Sequence, residues 1–92
     1  MLHFLIHGKE DNVAVAVADV KSGDSAQCLN METEQKSEIQ ALMDIPLGHK
    51  IALQDFKEND TIIKYDHDIG RVASPIKKGE HVHVHNVKTK RW

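Results

Sequence analysis

The feature that most constrains this chain is a short phrase that it spells four times. Asp19-Val20-Lys21-Ser22-Gly23-Asp24 returns as Asp44-Ile45-Pro46-Leu47-Gly48-His49 and as Asp55-Phe56-Lys57-Glu58-Asn59-Asp60, with a looser copy in Pro75-Ile76-Lys77-Lys78-Gly79-Glu80. Each sets an apolar residue ahead of two mostly polar ones, then Gly or Asn, then a polar residue and a strand-like run. Gly and Asn accept positive φ most easily, so the phrase predicts a tight turn that delivers the chain into a strand. The copies are unevenly spaced, which excludes a solenoid. What remains is a small β domain that reuses one turn.

The strands expected between these turns are rich in β-branched residues. Phe4 to His7 reads as a short one. From Val13 to Ala18, Val13, Val15 and Val17 share one face and Ala14, Ala16 and Ala18 the other, the pattern of a central strand that lets another backbone come close. Ile51 to Leu53, Thr61 to Tyr65 and Glu80 to Val87 complete the set. Two patterns compete between Met31 and Met43. Residue propensities and the spacing of Ile39, Leu42 and Met43 fit a helix, whereas the alternation in Glu38-Ile39-Gln40-Ala41-Leu42 fits a strand. The surrounding turns favour the strand.

With 92 residues the chain has room for one domain, spanning 1–92. A domain this small buries only about 60–65 % of the surface its unfolded chain exposes, which leaves little material for a deep private pocket. A site on it is expected to be shallow or to be completed by another chain. The formal charge of −2 argues against nucleic-acid binding. Cys28 is the only cysteine, so neither a disulfide framework nor a thiolate metal cage is available. The apolar start, Met1-Leu2-His3-Phe4-Leu5-Ile6-His7, lacks the marks of a secretion signal and falls short of a membrane span, and the expected compartment is the cytoplasm.

Seven histidines carry most of the chemical interest. In Glu80-His81-Val82-His83-Val84-His85-Asn86 a continuous strand would line all three imidazoles on one face, with Val82 and Val84 on the other. Neighbours on that face stand about 6.5–7 Å apart, within reach of a shared metal ion, and each is also a candidate acid or base. A half-exposed edge strand explains the same pattern without chemistry. No metal is assigned to this chain's own residues, because a catalytic site needs three converging ligands. Asp11-Asn12 reads as a turn or, with His7, as a polar cluster offering hydrogen bonds to a hydroxylated ligand. Lys50 in Gly48-His49-Lys50 is a point charge suited to a carboxylate or sulfonate. Tyr65 is expected to pack, and Asp66-His67-Asp68 to turn. The chain has no Gly-rich phosphate loop and no Ser or Cys nucleophile in a recognisable setting, which argues against a self-contained enzyme.

Four phrases in order, Asp11-Asn12-Val13-Ala14-Val15-Ala16, Gly48-His49-Lys50-Ile51-Ala52-Leu53, Ile63-Lys64-Tyr65 with Ile69-Gly70, and Gly79-Glu80-His81-Val82-His83-Val84-His85-Asn86, together resemble the SAF domain of the altronate dehydratase/galactarate dehydratase family. That family includes the (2R)-sulfolactate sulfo-lyases, whose small subunits the ending Lys88-Thr89-Lys90-Arg91-Trp92 resembles. Family members often carry Gly where this chain has Asp66. The resemblance implies an all-β fold of the β-clip type, built of compact hairpins. It implies a lyase that eliminates water or sulfite from a hydroxy acid with Fe²⁺ or another divalent metal, the metal residing on a separate large catalytic subunit. This chain would then be the small subunit, inactive alone and compatible with a homo-oligomer; a stand-alone sugar-acid-binding module is the alternative. Carried over by position, His83 and His85 are the catalytic candidates, and His7, Asp11, Asn12, His49 and Lys50 the substrate-binding ones.

Overall fold

The computed structural model describes residues 1–83 and 85–89, and these are all-β, as expected. The strands are β1 (Phe4–Ile6), β2 (Val13–Ala16), β3 (Ser25–Asn30), β4 (Lys36–Gln40), β5 (Lys50–Ala52), β6 (Thr61–Lys64), β7 (His67–Val72), β8 (His81–Val82) and β9 (Val87–Thr89). One sheet runs β4-β3-β1-β2-β5-β8 and the other β6-β7-β9. The ambiguous stretch resolves in favour of the strand: β4 pairs antiparallel with β3, Ala26 opposite Ile39.

All four phrases form the predicted turn. Gly23, Gly48, Asn59 and Gly79 take φ of 92°, 85°, 73° and 93°. In each, the residue after the Gly or Asn donates its N–H to the carbonyl three residues back, as Asp24 does to Lys21 at 3.0 Å. The turns also associate in pairs. Val20 and Ile45 exchange both backbone hydrogen bonds, as do Phe56 and Ile76. Leading aspartates lock the pairs: Asp19 accepts from the N–H of Leu47, Asp44 from that of Ser22, and Asp55 from that of Lys78. The apolar second residue of every phrase is thereby buried, and burial of each such side chain contributes about 1.5–3 kcal/mol.

Two cores result, and β2 and β5 form the wall between them. Ala14, Ala16 and Ile51 belong to the core around Phe4, Val20 and Ile45, whereas Val13 and Ala52 belong to the core around Phe56, Ile62, Val72, Ile76 and Val82. Period-two alternation sends successive residues of one strand to opposite sides, and the pairing of Ala14 with Ile51 and Val13 with Ala52 keeps the two sets in register. The expected central strand is therefore central, although it ends at Ala16 and Val17 is exposed.

Three expectations need correction. The strand predicted from Glu80 to Val87 stops at Val82. Asn86 breaks it: its Oδ1 accepts from the N–H of His83 at 2.9 Å, its Nδ2 donates to the carbonyl of His81 at 2.8 Å, and its own N–H donates to the carbonyl of His83. A side chain that satisfies backbone groups this way competes with the ladder, so the chain turns before β9. Val84, expected on the opposite face, lies outside the described residues, as do Lys90, Arg91 and Trp92 of the ending. The turn expected at Asp66-His67-Asp68 sits one residue earlier, at Tyr65 and Asp66, with φ of 54° and 60°. His67 and Asp68 already belong to β7, and Lys64 pairs with His67. Two consecutive left-handed residues between paired strands are the geometry of a type I′ hairpin turn. Asp66 thus adopts the conformation that a Gly would favour. Tyr65 does not pack into a core; it is 56 % exposed.

Candidate functional site

Strands β5 and β8 gather the histidines. Lys50 faces Val82 and Ile51 faces His81 in this antiparallel pair. One residue further along, the same register sets His49 opposite His83. Their rings stack with centroids 4.3 Å apart. His81 and His83 share a strand face by their i, i+2 spacing, and their rings are nearly parallel at 5.4 Å. His49 Nδ1 lies 2.8 Å from His81 Nε2, so one of these nitrogens carries the proton and the other accepts it. His85, in the turn beyond β8, adds a fourth ring 5.2 Å from His81.

The turn phrase explains how His49 is available. In the other three copies the last residue is acidic and its carboxylate accepts from the backbone N–H three residues earlier. Asp24 does so with Lys21, Asp60 with Lys57 and Glu80 with Lys77. In the His49 copy that earlier residue is Pro46, which has no N–H to donate. A carboxylate would have nothing to cap there. The position is released from turn duty and carries an imidazole into the cluster.

Burial, and next the mutual repulsion with His49, His85, His83 and Lys50, holds His81 below the ordinary histidine value of 6.5. His83 is lowered in the same way, by burial first and then by His49, Lys50 and His85. Both shifts favour the neutral form, which presents a lone pair. Lys50, half-buried on β5, is lowered by burial and then by Lys64. The cluster therefore joins imidazoles, able to ligate a cation or move a proton, to the Lys50 ammonium, able to hold an anion. His49, His81 and His83 each offer a ring nitrogen, all within 4.8 Å of one another, which makes them a group with metal-ligand spacing.

The remaining candidates form a second group around the first long loop and the β6–β7 turn. His7 stacks on Tyr65 with centroids 4.3 Å apart. The Asp11 carboxylate accepts the N–H groups of Gly8, Tyr65 and Asp66 at 2.8–3.0 Å. Burial alone would raise its pKa, but these backbone hydrogen bonds outweigh it and hold the carboxyl below 3.8. Asn12 donates to the Thr61 carbonyl at 3.0 Å and accepts from the Ile63 N–H at 2.8 Å, clamping β6 onto β2. Both side chains are thus engaged with backbone. Lys64, 5.3 Å above the Tyr65 ring and within electrostatic reach of Lys50, lies between the groups. The sequence-based set therefore divides: His49, Lys50, His83 and His85 come together, and His7, Asp11 and Asn12 assemble beside Tyr65. Lys64 and the brace Asn86 were not among the candidates, and His81 was one of the three strand histidines but not one of the positions carried over from the family. His81 had a visible signal in its i, i+2 spacing from His83.

A small all-β domain with paired Gly turns and an open face of histidine and lysine is the class that these features define. Residues 2–90 match the altronate/galactarate dehydratase SAF domain, and the chain belongs to that family. It is 45 % identical over 92 residues to the (2R)-sulfolactate sulfo-lyase subunit alpha of Chromohalobacter salexigens, a match covering 99 % of this chain and 98 % of that one. It is 46 % identical over 65 residues to the subunit of the same name from Paracoccus pantotrophus, covering 71 % of this chain and 97 % of the relative. The altronate dehydratase of Bacillus subtilis is 44 % identical over 89 residues, which are 97 % of this chain but 17 % of that protein. Among the described residues no helix is long and apolar enough to cross a membrane.

Proposed function

We propose that this chain is the small subunit of a cytoplasmic, metal-dependent lyase that eliminates sulfite or water from a hydroxy acid, and that it completes the active site of a separate large chain. The observation that carries this reading is the end-to-end match to a sulfo-lyase alpha subunit, together with a half-buried histidine–lysine face on so small a domain. A domain of this size encloses little by itself, so the face becomes a dry site only when something covers it. Exposed Val17 and Leu47 flank the His49 turn and offer apolar contact to such a chain.

The reaction class assigns work to these side chains. A base takes the proton from the carbon that bears the carboxylate and hydroxyl. That electron pair forms a C=C bond, and hydroxide or sulfite departs from the adjacent carbon. Lys50 is the group for the substrate's carboxylate or sulfonate, with His49 beside it. His83 and His85 are the candidates for proton transfer to the leaving group, each delivering the proton from its imidazolium form and becoming neutral as it does so. His7, Asp11 and Asn12 shape the neighbouring rim. Fe²⁺ or another divalent ion, expected on the large chain, supplies Lewis-acid polarisation of substrate oxygens when bound.

Co-expression with a large lyase chain of the same family tests the pairing. A stable complex that survives size-exclusion chromatography is expected. Titration of the isolated chain with hydroxy acids is expected to give weak binding or none. Tight, saturable binding without any partner would instead establish the stand-alone binding module.

A further inference from the structure

We propose that His49, His81 and His83 form a binding site for one divalent first-row transition-metal ion on this chain itself. The site goes beyond the lyase reading and stands without it. Three ring nitrogens already lie within 4.8 Å of one another. Two imidazoles on one tetrahedral ion, each with a metal–nitrogen bond of about 2.0–2.1 Å, place their nitrogens about 3.3 Å apart. Closing around an ion therefore asks for ring rotations and no change of backbone. The 2.8 Å contact between His49 Nδ1 and His81 Nε2 shows that two of these rings already aim nitrogens at each other. A metal entering there takes a lone pair from each ring while the shared proton moves to the donor ring's other nitrogen, and protonation of the rings competes with the metal, so binding weakens as pH falls.

The backbone beneath the three rings is fixed. Ile51 and His81 pair across β5 and β8, and the Asn86 amide ties the His81 carbonyl to the His83 N–H. Asn86 is only 8 % exposed and acts as a positioning residue for both ligands. His49 sits at the one turn copy whose Pro46 relieves it of capping duty. The strand pattern of the sequence pointed to His81, His83 and His85; the fold exchanges His85 for His49, because the chain turns after β8.

Donor type narrows the ion. Three imidazoles without a carboxylate suit Zn²⁺, Fe²⁺, Co²⁺ or Ni²⁺ and do not suit Ca²⁺ or Mg²⁺, which take oxygen ligands. Three protein ligands also leave a coordination position for water, for a partner's side chain or for an anionic oxygen. Occupied in this way, His83 is a ligand, and proton delivery under the lyase reading falls to His85.

The test uses the untagged full chain, titrated with Zn²⁺ by calorimetry and with Co²⁺ by visible absorption. The expected result is one ion per chain, with the intense visible bands of a low-coordinate cobalt site. His49→Ala, His81→Ala and His83→Ala are each expected to weaken binding by at least about 10–100-fold, the loss typical of even an outer-sphere partner. His67→Ala, on exposed β7, and His85→Ala are expected to leave it unchanged. Circular dichroism checks that each variant folds. If His49→Ala does not fold, His83→Ala, which changes a residue in the turn after β8, decides the matter. Absence of saturable binding up to about 1 mM metal, or binding that survives His49→Ala and is lost in His85→Ala, would overturn the proposal. Turnover by the two-chain complex is a separate measurement, so this inference and the lyase reading can fail independently.

Discussion

His49 stands at the turn position that is acidic in the three sister copies, and Pro46, three residues before it, lacks the N–H that an acid there would cap. The two residues form a coupled pair: one abolishes a structural need, and the other uses the freedom. A side chain of the histidine cluster has been placed on a structural turn without loss of the turn itself, since the His49 N–H still donates to the Pro46 carbonyl at 3.0 Å.

This coupling predicts a non-additive pair of substitutions. His49→Asp alone gains no partner and is expected to leave stability unchanged or lower. In the Pro46→Lys background the same substitution finds an N–H and is expected to stabilise by about 1 kcal/mol, the net worth of one hydrogen bond. Urea midpoints of the four proteins in the cycle measure the coupling, and additive effects would contradict it.

Asp11 holds the second group together. Asp11→Ala leaves three N–H groups without their acceptor and is expected to cost about 1–3 kcal/mol at pH 7. The sign with pH follows from its lowered pKa. The folded carboxyl ionises below 3.8, so its stabilising contribution is complete above that value and is lost as pH falls through the folded pKa. The gap between wild type and Asp11→Ala should therefore narrow on acidification from pH 5 to pH 2.5; a constant gap would contradict the assignment.

Much of the fold was legible in local chemistry. Gly23, Gly48, Asn59 and Gly79 announce positive φ by residue type alone, and Val13 to Ala16 announces a central strand by its alternation. The failures are those of long-range or side-chain-to-backbone effects. β3 was missed because Ser25, Gln27, Cys28 and Asn30 carry little strand preference, and its pairing with β1 and β4 makes it a strand. The histidine strand was drawn too long because Asn86 bonds to the backbone of His81 and His83, a competition that alternation cannot reveal. The site was half legible. His81 and His83 share a face by spacing alone, whereas the approach of His49 depends on the register of β5 against β8, some thirty positions away in sequence.

Asn12 offers a test of a polar side chain that works as structure. Asn12→Ala removes a donor to Thr61 and an acceptor for Ile63, and a loss of about 1–3 kcal/mol is expected. Hydrogen exchange of the Ile63 amide reads the effect directly. Unchanged protection would contradict the clamp.

Two turn glycines should differ sharply. Gly48 and Gly79 have similar φ, so alanine at either carries the left-handed penalty of about 1–2 kcal/mol. Around Gly48 a Cβ meets open space, whereas at Gly79 it collides with the Gln40 carbonyl oxygen. Gly79→Ala is expected to cost about 1–3 kcal/mol more than Gly48→Ala, as overpacking does. Equal thermal midpoints would contradict the close approach of these two backbones.

The central claim is that this chain finishes an active site it does not contain. Its most direct test is the rate of sulfite release from (2R)-sulfolactate, with altronate dehydration assayed in parallel, by the large chain alone, by this chain alone and by the two together. The account predicts turnover only in the mixture, and a fall of at least about a hundredfold when His85→Ala is assembled into an intact complex, the usual worth of a general acid. Full activity from either chain alone, or from the complex without the His85 imidazole and without Lys50, would contradict it.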